Sequence, residues 1–149
     1  MEQIEKRTIE LDLSRAKSGR QVIEASISSE TPVERPWGRE ILEHSRAAID
    51  LKRTPLPLLI NHNAGDTPVG KAVNFRIEGG KLRADLSFGK SSRAKETLQD
   101  VLDGILTNIS IGYAIHDTES RGDDVIVKRW ELLEVSLVSI PADHTVGIG

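Results

Sequence analysis

The sequence predicts a mainly β fold: a mainly antiparallel sheet or a small barrel of about seven strands that carries one clear helix. Most segments alternate apolar and polar side chains with the period of two that is typical of strands, and one segment has a helical apolar stripe. Strands and helices do not alternate along the chain, which argues against a doubly wound parallel sheet. With 149 residues the chain is long enough for one core, so we expect residues 1–149 to form a single domain.

Composition excludes several classes of function. The formal net charge is −3, from 20 basic and 23 acidic residues spread along the chain, whereas a nucleic-acid-binding surface needs clustered Lys and Arg. The chain has no cysteine and therefore no disulfide or zinc–thiolate site. The charged N-terminal stretch lacks a signal-peptide core, and no apolar run approaches the roughly 20 residues of a membrane helix. We expect an intracellular chain with no nucleic-acid or membrane partner.

The first third of the chain contains strands and one polar stretch. Residues 4–13 and 21–27 alternate with the strand period. Residues 28–39 are rich in Ser, Pro and charge, which indicates a surface loop that Trp37 fixes by burying its ring. Residues 40–51 fit either a strand with a short helical turn or one irregular helix.

The apolar run at residues 56–60 ends abruptly in Asn-His-Asn and a Gly- and Pro-containing loop. It has the length of a buried strand, and it brings His62 to the mouth of that loop. Residues 69–77 and 81–88 alternate well and are joined through Gly-Gly. Because both positions of a tight hairpin turn favour positive φ, this pair predicts a β-hairpin.

Residues 91–103 have the one clear helical pattern. Ser91 or Ser92 can cap its N-terminus, and Gly104 follows as a C-terminal stop. The apolar stripe is expected to be core packing, with dimerisation through the helix as the alternative. The stripe consists of Ala94, Leu98, Val101 and Leu102.

Residues 109–115 and 125–138 predict two further strands, with residues 119–124 as the polar connector. The connector contains Arg-Gly-Asp, which we interpret as part of a hairpin loop and not as an integrin-binding tripeptide.

Three polar residues can carry acyl-transfer chemistry. A serine hydroxyl becomes a good nucleophile when a histidine takes its proton and an acid orients that histidine. Histidine is the side chain that most often serves as such a base near neutral pH, and His62 is the candidate. Ser110 lies in a strand segment with small Gly112 two positions on, and Glu134 lies within a strongly apolar strand. A buried carboxylate needs a partner, and a histidine on a neighbouring strand would serve.

Other pairings remain open from the residues alone. Ser136 and Ser139 are rival serines, and Glu134 can pair with Lys128 or Arg129 instead. Glu131 is a rival acid, but three positions along a strand place it on the face opposite Glu134. A metal site would draw on the histidines with an Asp, but no close His spacing supports one, so we expect neither metal nor cofactor. The histidines in question are His62, His116 and His144.

Three ordered motifs carry a resemblance to a known family: LLINHN followed by PVG, NISIGY after a short helix, and ELLEVSLVSIPA near the end. Over residues 39–142 they resemble the prohead proteases of tailed bacteriophages, which are similar in turn to the herpesvirus assemblins. The resemblance implies a seven-stranded, barrel-like β core with flanking helices. It also implies a serine protease with the histidine first and the serine second in sequence.

On this resemblance the catalytic triad consists of His62 as the general base, Ser110 as the nucleophile and Glu134 as the third residue. Glu134 stands at the place where assemblins have a second histidine. Assemblins form the oxyanion hole with an arginine-bearing segment after that third residue. The chain has no arginine there, so the resemblance leaves the backbone N–H groups of Ala142 or Asp143 for this role.

The resemblance implies an endopeptidase that cleaves scaffold and capsid precursor proteins, and itself, inside an assembling procapsid in the host cytoplasm. It implies a chain that is truncated or self-processed at its C-terminus, and it allows a homodimer, because assemblins couple dimerisation to the oxyanion hole. The alternative is a non-catalytic β-barrel module for capsid assembly or scaffolding.

Overall fold

The computed structural model describes residues 4–10 and 22–139, which contain ten strands and one helix. The elements in chain order are β1 (Ile4–Glu10), β2 (Val22–Ser29), β3 (Val33–Arg35), β4 (Gly38–Leu42), β5 (Ile49–Asp50), β6 (Leu56–Ile60), β7 (Gly70–Glu78), β8 (Lys81–Phe88), α1 (Ser92–Leu102), β9 (Asn108–Arg121) and β10 (Asp124–Val138).

The strands form one sheet that curls into a half-barrel, which confirms the predicted mainly β class. Seven strands follow the order β1-β9-β10-β6-β7-β8-β2. The short strands β4 and β5 also pair with β10, and β3 pairs with β4. Most pairs are antiparallel, but β10 is parallel to β4, β5 and β6.

Strand β10 is the centre of the sheet. Its second half is apolar at successive positions and not only at alternate ones, which is typical of a strand covered on both faces. Trp130 is fully buried in it and meets the ring of Tyr113 on β9 edge to face, with centroids 5.6 Å apart. The polar side chains of the candidate site therefore lie in a well-packed region.

The predicted hairpin is confirmed as β7 and β8, with Gly79 and Gly80 both at positive φ (58° and 74°).

The predicted helix is confirmed as α1. The Ser91 hydroxyl accepts a hydrogen bond from the Ala94 N–H (3.1 Å) at its N-terminus. At its C-terminus Gly104 has φ 73° and donates to the Val101 carbonyl at 3.1 Å, as a glycine stop does.

The helix stripe is only partly buried. Ala94 and Val101 are buried, but the Leu102 side chain is 42 % exposed, so its assignment to the core is wrong. The reason is that Leu102 lies about 100° around the helix from the buried Val101, at the edge of the face that packs on the sheet. In the part of the chain that the structure describes, no helix has the length and apolarity to cross a membrane.

Two predictions in the first third need correction, and one pair of alternatives is decided. Residues 29–39 lie at or near the surface and Ser28 is buried, but the segment includes the end of β2 and the hairpin of β3 and β4 and is not one loop. Trp37 is at the hairpin tip and 48 % exposed, so it does not bury its ring. Of the two alternatives for residues 40–51, the structure has the strand with a short turn and not the irregular helix. After β4 the Ala48 N–H donates to the Ser45 carbonyl (3.1 Å), and β5 follows.

The other strands are longer or shorter than predicted. β1 covers residues 4–10, and residues 11–13 and 21 of the two predicted N-terminal strands lie outside the described residues. β9 and β10 extend through most of the predicted connector to a tight turn at Gly122 (φ 62°). The Arg-Gly-Asp tripeptide is thus part of a hairpin end, as interpreted.

A buried charge network joins β1, β3, β4 and β9. Glu40 is fully buried, and its Oε1 accepts hydrogen bonds from Arg7 Nε (3.3 Å) and from the Tyr113 hydroxyl. Arg35 Nη2 lies 3.7 Å from the same oxygen. Burial, followed by the charge of Glu40, raises the pKa of Tyr113, so this hydroxyl remains protonated and donates.

The environment of His44 predicts a pH dependence of stability. His44 is buried next to Trp130, its Nδ1 donates to the Leu42 carbonyl (2.8 Å), and its Nε2 accepts from the Ser28 hydroxyl (2.9 Å). Burial lowers the pKa of His44, and the nearby Arg7 lowers it further, although the Leu42 carbonyl and Glu30 oppose them. The folded chain therefore binds a proton at His44 less readily than the unfolded chain.

The contribution of neutral His44 to the free energy of unfolding is fully present above pH about 6.5, the pKa of histidine in an unfolded chain. It is lost as the pH falls toward the lower pKa of His44 in the folded chain. We expect the free energy of unfolding to fall by up to about 1.4 kcal/mol per pH unit from this residue. Denaturant unfolding at pH 7.5 and 5.5 measures this, and His44→Gln, which does not titrate, should lose less stability between the two. Equal losses in both proteins would contradict the prediction.

Candidate active site

The site forms where β6, β9 and β10 lie side by side. Ser110 on β9 is directly opposite Ser136 on β10, and two positions further along Gly112 is opposite Glu134. Because side chains two positions apart share a face of a strand, these residues point to the same side of the sheet. His62 reaches that side from the turn that follows β6.

The turn after β6 has an unusual backbone. Asn61 and His62 have φ of 51° and 58°, and the Asn63 N–H donates to the Ile60 carbonyl at 3.0 Å. Two central residues at positive φ are the mark of a type I′ turn. This left-handed region costs an L-residue about 1–2 kcal/mol, although Asn and His are enriched there among non-glycine residues. The turn aims the imidazole back over the sheet.

The structure brings His62, Ser110 and Glu134 together. His62 Nε2 is 2.9 Å from Ser110 Oγ, and His62 Nδ1 is hydrogen-bonded to Glu134 Oε1. An ionised carboxylate only accepts hydrogen bonds, so Nδ1 carries the ring proton and Nε2 is left to accept the proton of the Ser110 hydroxyl. The three side chains form a continuous row in which a proton can pass from oxygen to nitrogen.

The members of this row differ in exposure. Ser110 is fully buried, whereas the side chains of His62 and Glu134 are 12 % and 17 % exposed. The imidazole and carboxylate are thus largely removed from water, which strengthens the interaction between them.

The rival acid and rival ion pairs lie elsewhere. Glu131 is buried and accepts a hydrogen bond from Arg53 Nε at 2.8 Å, which lowers the pKa of Glu131. His116 Nε2 lies 3.4 Å from the same carboxylate. Lys128 pairs with Glu43 at 2.7 Å and not with Glu134.

The face argument that separated Glu131 from Glu134 is wrong. Glu131 pairs with Ala114 and Glu134 pairs with Gly112 across a bulge, and these two partners share one face of β9. The two carboxylates are distinguished by the side chains that they bond.

The rival serines contact the same turn without meeting the imidazole. Ser136 Oγ accepts a hydrogen bond from the His62 backbone N–H, and the Ser139 backbone N–H donates to the Asn61 side chain. Sequence reasoning treated Ser136 only as a rival, yet the Glu-x-Ser spacing already places both residues on one face of a strand.

Two predicted residues of the oxyanion hole, Ala142 and Asp143, lie outside the described residues, as does His144. Within residues 4–10 and 22–139, no three or more His, Asp or Glu side chains are grouped so that they could hold a metal ion.

Gly112 leaves the space that the Glu134 carboxylate occupies. A Cβ added at Gly112 would lie 2.6 Å from Glu134 Oε1 and 3.1 Å from its Cγ. Any larger residue must therefore push away the oxygen that bonds His62. The small residue two positions after Ser110 is a requirement of the site.

We expect Gly112→Ala to displace the Glu134 carboxylate and to slow the reaction of Ser110 with a small phosphonate by about a hundredfold, the effect of an approximately 1 Å misplacement. The labelling rate per folded molecule measures this. Gly89→Ala is the matched control, because its added Cβ would meet its nearest neighbour at an ordinary 3.4 Å. Equal rates in the two variants would argue against this role of Gly112.

A serine hydroxyl, an imidazole and a carboxylate joined in this order are the arrangement that serine hydrolases use on several unrelated folds. Comparison with known proteins gives the family. The family model of caudovirus prohead serine proteases matches residues 11–148, and the chain belongs to that family. The resemblance read from the three motifs is thus confirmed, while the relation to assemblins stays a prediction.

Individual relatives are phage proteins. The chain is 40 % identical over 134 residues to the major capsid protein of Halomonas phage phiHAP-1, with 83 % of the chain and 22 % of that protein aligned. It is 35 % identical over 98 residues to the probable capsid maturation proteases of Lactococcus phages p2 and SK1, with 64 % of the chain and 54 % of each relative aligned. The chain thus spans about a fifth of the first protein and about half of the other two. No solved structure matches it significantly.

Proposed function

We propose that this chain is a serine endopeptidase that processes scaffold and capsid precursor proteins, and itself, during maturation of a phage prohead. The observation that carries the proposal is the hydrogen-bonded row from Ser110 through His62 to Glu134. Membership of the prohead protease family supports the reaction, and the names of the Lactococcus relatives support the substrate class.

In the acylation step, Ser110 Oγ attacks the carbonyl carbon of the scissile peptide bond while His62 Nε2 accepts the hydroxyl proton. Glu134 keeps the ring proton on Nδ1 and stabilises the imidazolium that forms. As the tetrahedral intermediate collapses, the C–N bond breaks and His62 gives its new proton to the leaving amine. The product is an ester between the substrate acyl group and Ser110.

In the deacylation step, a water molecule takes the place of the amine. His62 Nε2 accepts a proton from this water as its oxygen attacks the ester carbonyl. The C–Oγ bond then breaks, Ser110 Oγ takes the proton back, and the new carboxyl terminus is released. The negative oxygen of each intermediate needs N–H donors, and the proposal retains Ala142 or Asp143 for that role.

The proposal places the reaction inside the assembling procapsid, within the host cytoplasm. The match to the major capsid protein of phage phiHAP-1 supports a function beside capsid proteins. We treat residues 1–149 as one protease domain, for which the family match over residues 11–148 is the support. A homodimer is part of the proposal only through the resemblance to assemblins.

Labelling with a small alkyl fluorophosphonate tests the proposal. Because Ser110 is fully buried, a small reagent is preferable to a peptide, and it should be tried on the purified chain and on the chain co-expressed with its capsid precursor. We expect loss of fluoride and one phosphonyl adduct on Ser110, found by peptide mass spectrometry and absent in His62→Ala. No adduct in either preparation, while a control protease labels fully, would favour the non-catalytic assembly module.

A further inference from the structure

Ser136 is fully buried on the central strand β10 and contacts two members of the row at once. Its Oγ accepts a hydrogen bond from the His62 backbone N–H at 3.0 Å. Its hydroxyl proton is donated to Glu134 Oε2 at 2.8 Å. One hydroxyl therefore joins the backbone of the histidine to the carboxylate that bonds the imidazole of the same histidine.

The hydrogen bond from the His62 backbone N–H to Ser136 holds a strained turn in place. His62 has φ 58°, and a residue in this region keeps that conformation only where its surroundings fix it. The Asn61 N–H donates to the Leu137 carbonyl (2.8 Å), and the Asn61 side chain accepts from the Ser139 N–H (2.9 Å). These three hydrogen bonds join the turn to β10 and to the residue that follows it, and the one to Ser136 is made by His62 itself.

The hydrogen bond from the Ser136 hydroxyl orients the Glu134 carboxylate. Glu134 Oε1 is bonded to His62 Nδ1, and Oε2 is bonded to Ser136. With both oxygens held, the carboxylate cannot rotate about its Cγ–Cδ bond without losing a hydrogen bond. Ser136 thus fixes the plane in which the carboxylate meets the ring.

We infer that Ser136 is a positioning residue: through one hydroxyl it holds the backbone of His62 and the carboxylate of Glu134 in the geometry that aims His62 Nε2 at Ser110. Ser136 does not touch the reacting atoms. The inference deepens the proposed function and rests on it in taking His62 as the base. The contacts themselves do not depend on that assignment.

The first experiment compares Ser136→Ala with wild type by the second-order rate of Ser110 phosphonylation per folded molecule. We expect a rate about tenfold to a hundredfold lower, because a misdirected base loses the alignment of the proton transfer. Ser136→Thr, which keeps the hydroxyl, should recover most of the rate. If Ser136→Ala does not fold, Ser136→Cys keeps a similar side-chain volume with a weak donor and takes its place.

Ser28→Ala is the matched control. Ser28 is also buried on a strand and its hydroxyl also bonds a histidine, His44, at 2.9 Å, but it has no contact with the row. Both serine variants should lose thermal stability, and only the change at Ser136 should slow labelling. A wild-type rate per folded molecule in Ser136→Ala would overturn the inference.

The second experiment does not need activity. In Ser110→Ala protein with ¹⁵N-labelled histidine, the Nδ1 proton of His62 should give a far-downfield NMR signal because it is bonded to a carboxylate. Adding Ser136→Ala should shift that signal upfield or remove it, and adding Ser28→Ala should not. If wild type fails to label, the proposed function fails. An unchanged Nδ1 signal after Ser136→Ala would overturn the positioning role separately.

Discussion

Ser110→Ala is expected to abolish processing of a co-expressed capsid precursor while the chain remains folded. Removing the nucleophile of a serine protease lowers the turnover number by on the order of 10⁶-fold, which takes cleavage below detection in a gel assay. The stability cost should be no more than about 1.5 kcal/mol, because one buried hydroxyl and its hydrogen bond to His62 are lost.

Ser120→Ala, at the exposed far end of the same strand, is the control and should process at the wild-type rate. Circular dichroism and thermal unfolding of the purified Ser110→Ala chain check that the fold is retained. Continued processing by folded Ser110→Ala would show that Ser110 is not the nucleophile.

The largest expected effect on stability follows from Glu40→Gln. This change leaves Arg7 and Arg35, whose side chains are 7 % and 17 % exposed, without the buried carboxylate that they face. Breaking a buried ion pair from one side costs about 3–5 kcal/mol, because the remaining charge is uncompensated. Urea unfolding monitored by tryptophan fluorescence gives the free energy directly.

Glu43→Gln provides the comparison, since Glu43 lies three residues further on and its pair with Lys128 is about one-third exposed. A pair that water can screen contributes about 0–1 kcal/mol, so the two identical chemical changes should differ by at least about 2 kcal/mol. Similar losses at both positions would mean that the network around Glu40 is not a main source of stability.

Much of the fold could be read from local pattern. Alternation identified β7 and β8, and the Gly-Gly turn between them appears with both residues at positive φ. A serine cap, an apolar stripe and a glycine stop defined α1. These features depend on neighbours within a few positions, so the order of residues contains the information. The segment at residues 28–39 was misread because a short surface hairpin has the same polar composition as a loop.

The sequence by itself determined which residue types could meet: a histidine at a strand end, a serine beside a small residue and a carboxylate in an apolar strand. Only the tertiary structure decided that they do. Their contacts join residues 48 and 72 positions apart and require the register that places Ser110 opposite Ser136. A slip of one residue would turn each of these side chains to the other face of the sheet. The double contact of Ser136 arises from pairing between distant strands, and local sequence preferences do not encode such pairing.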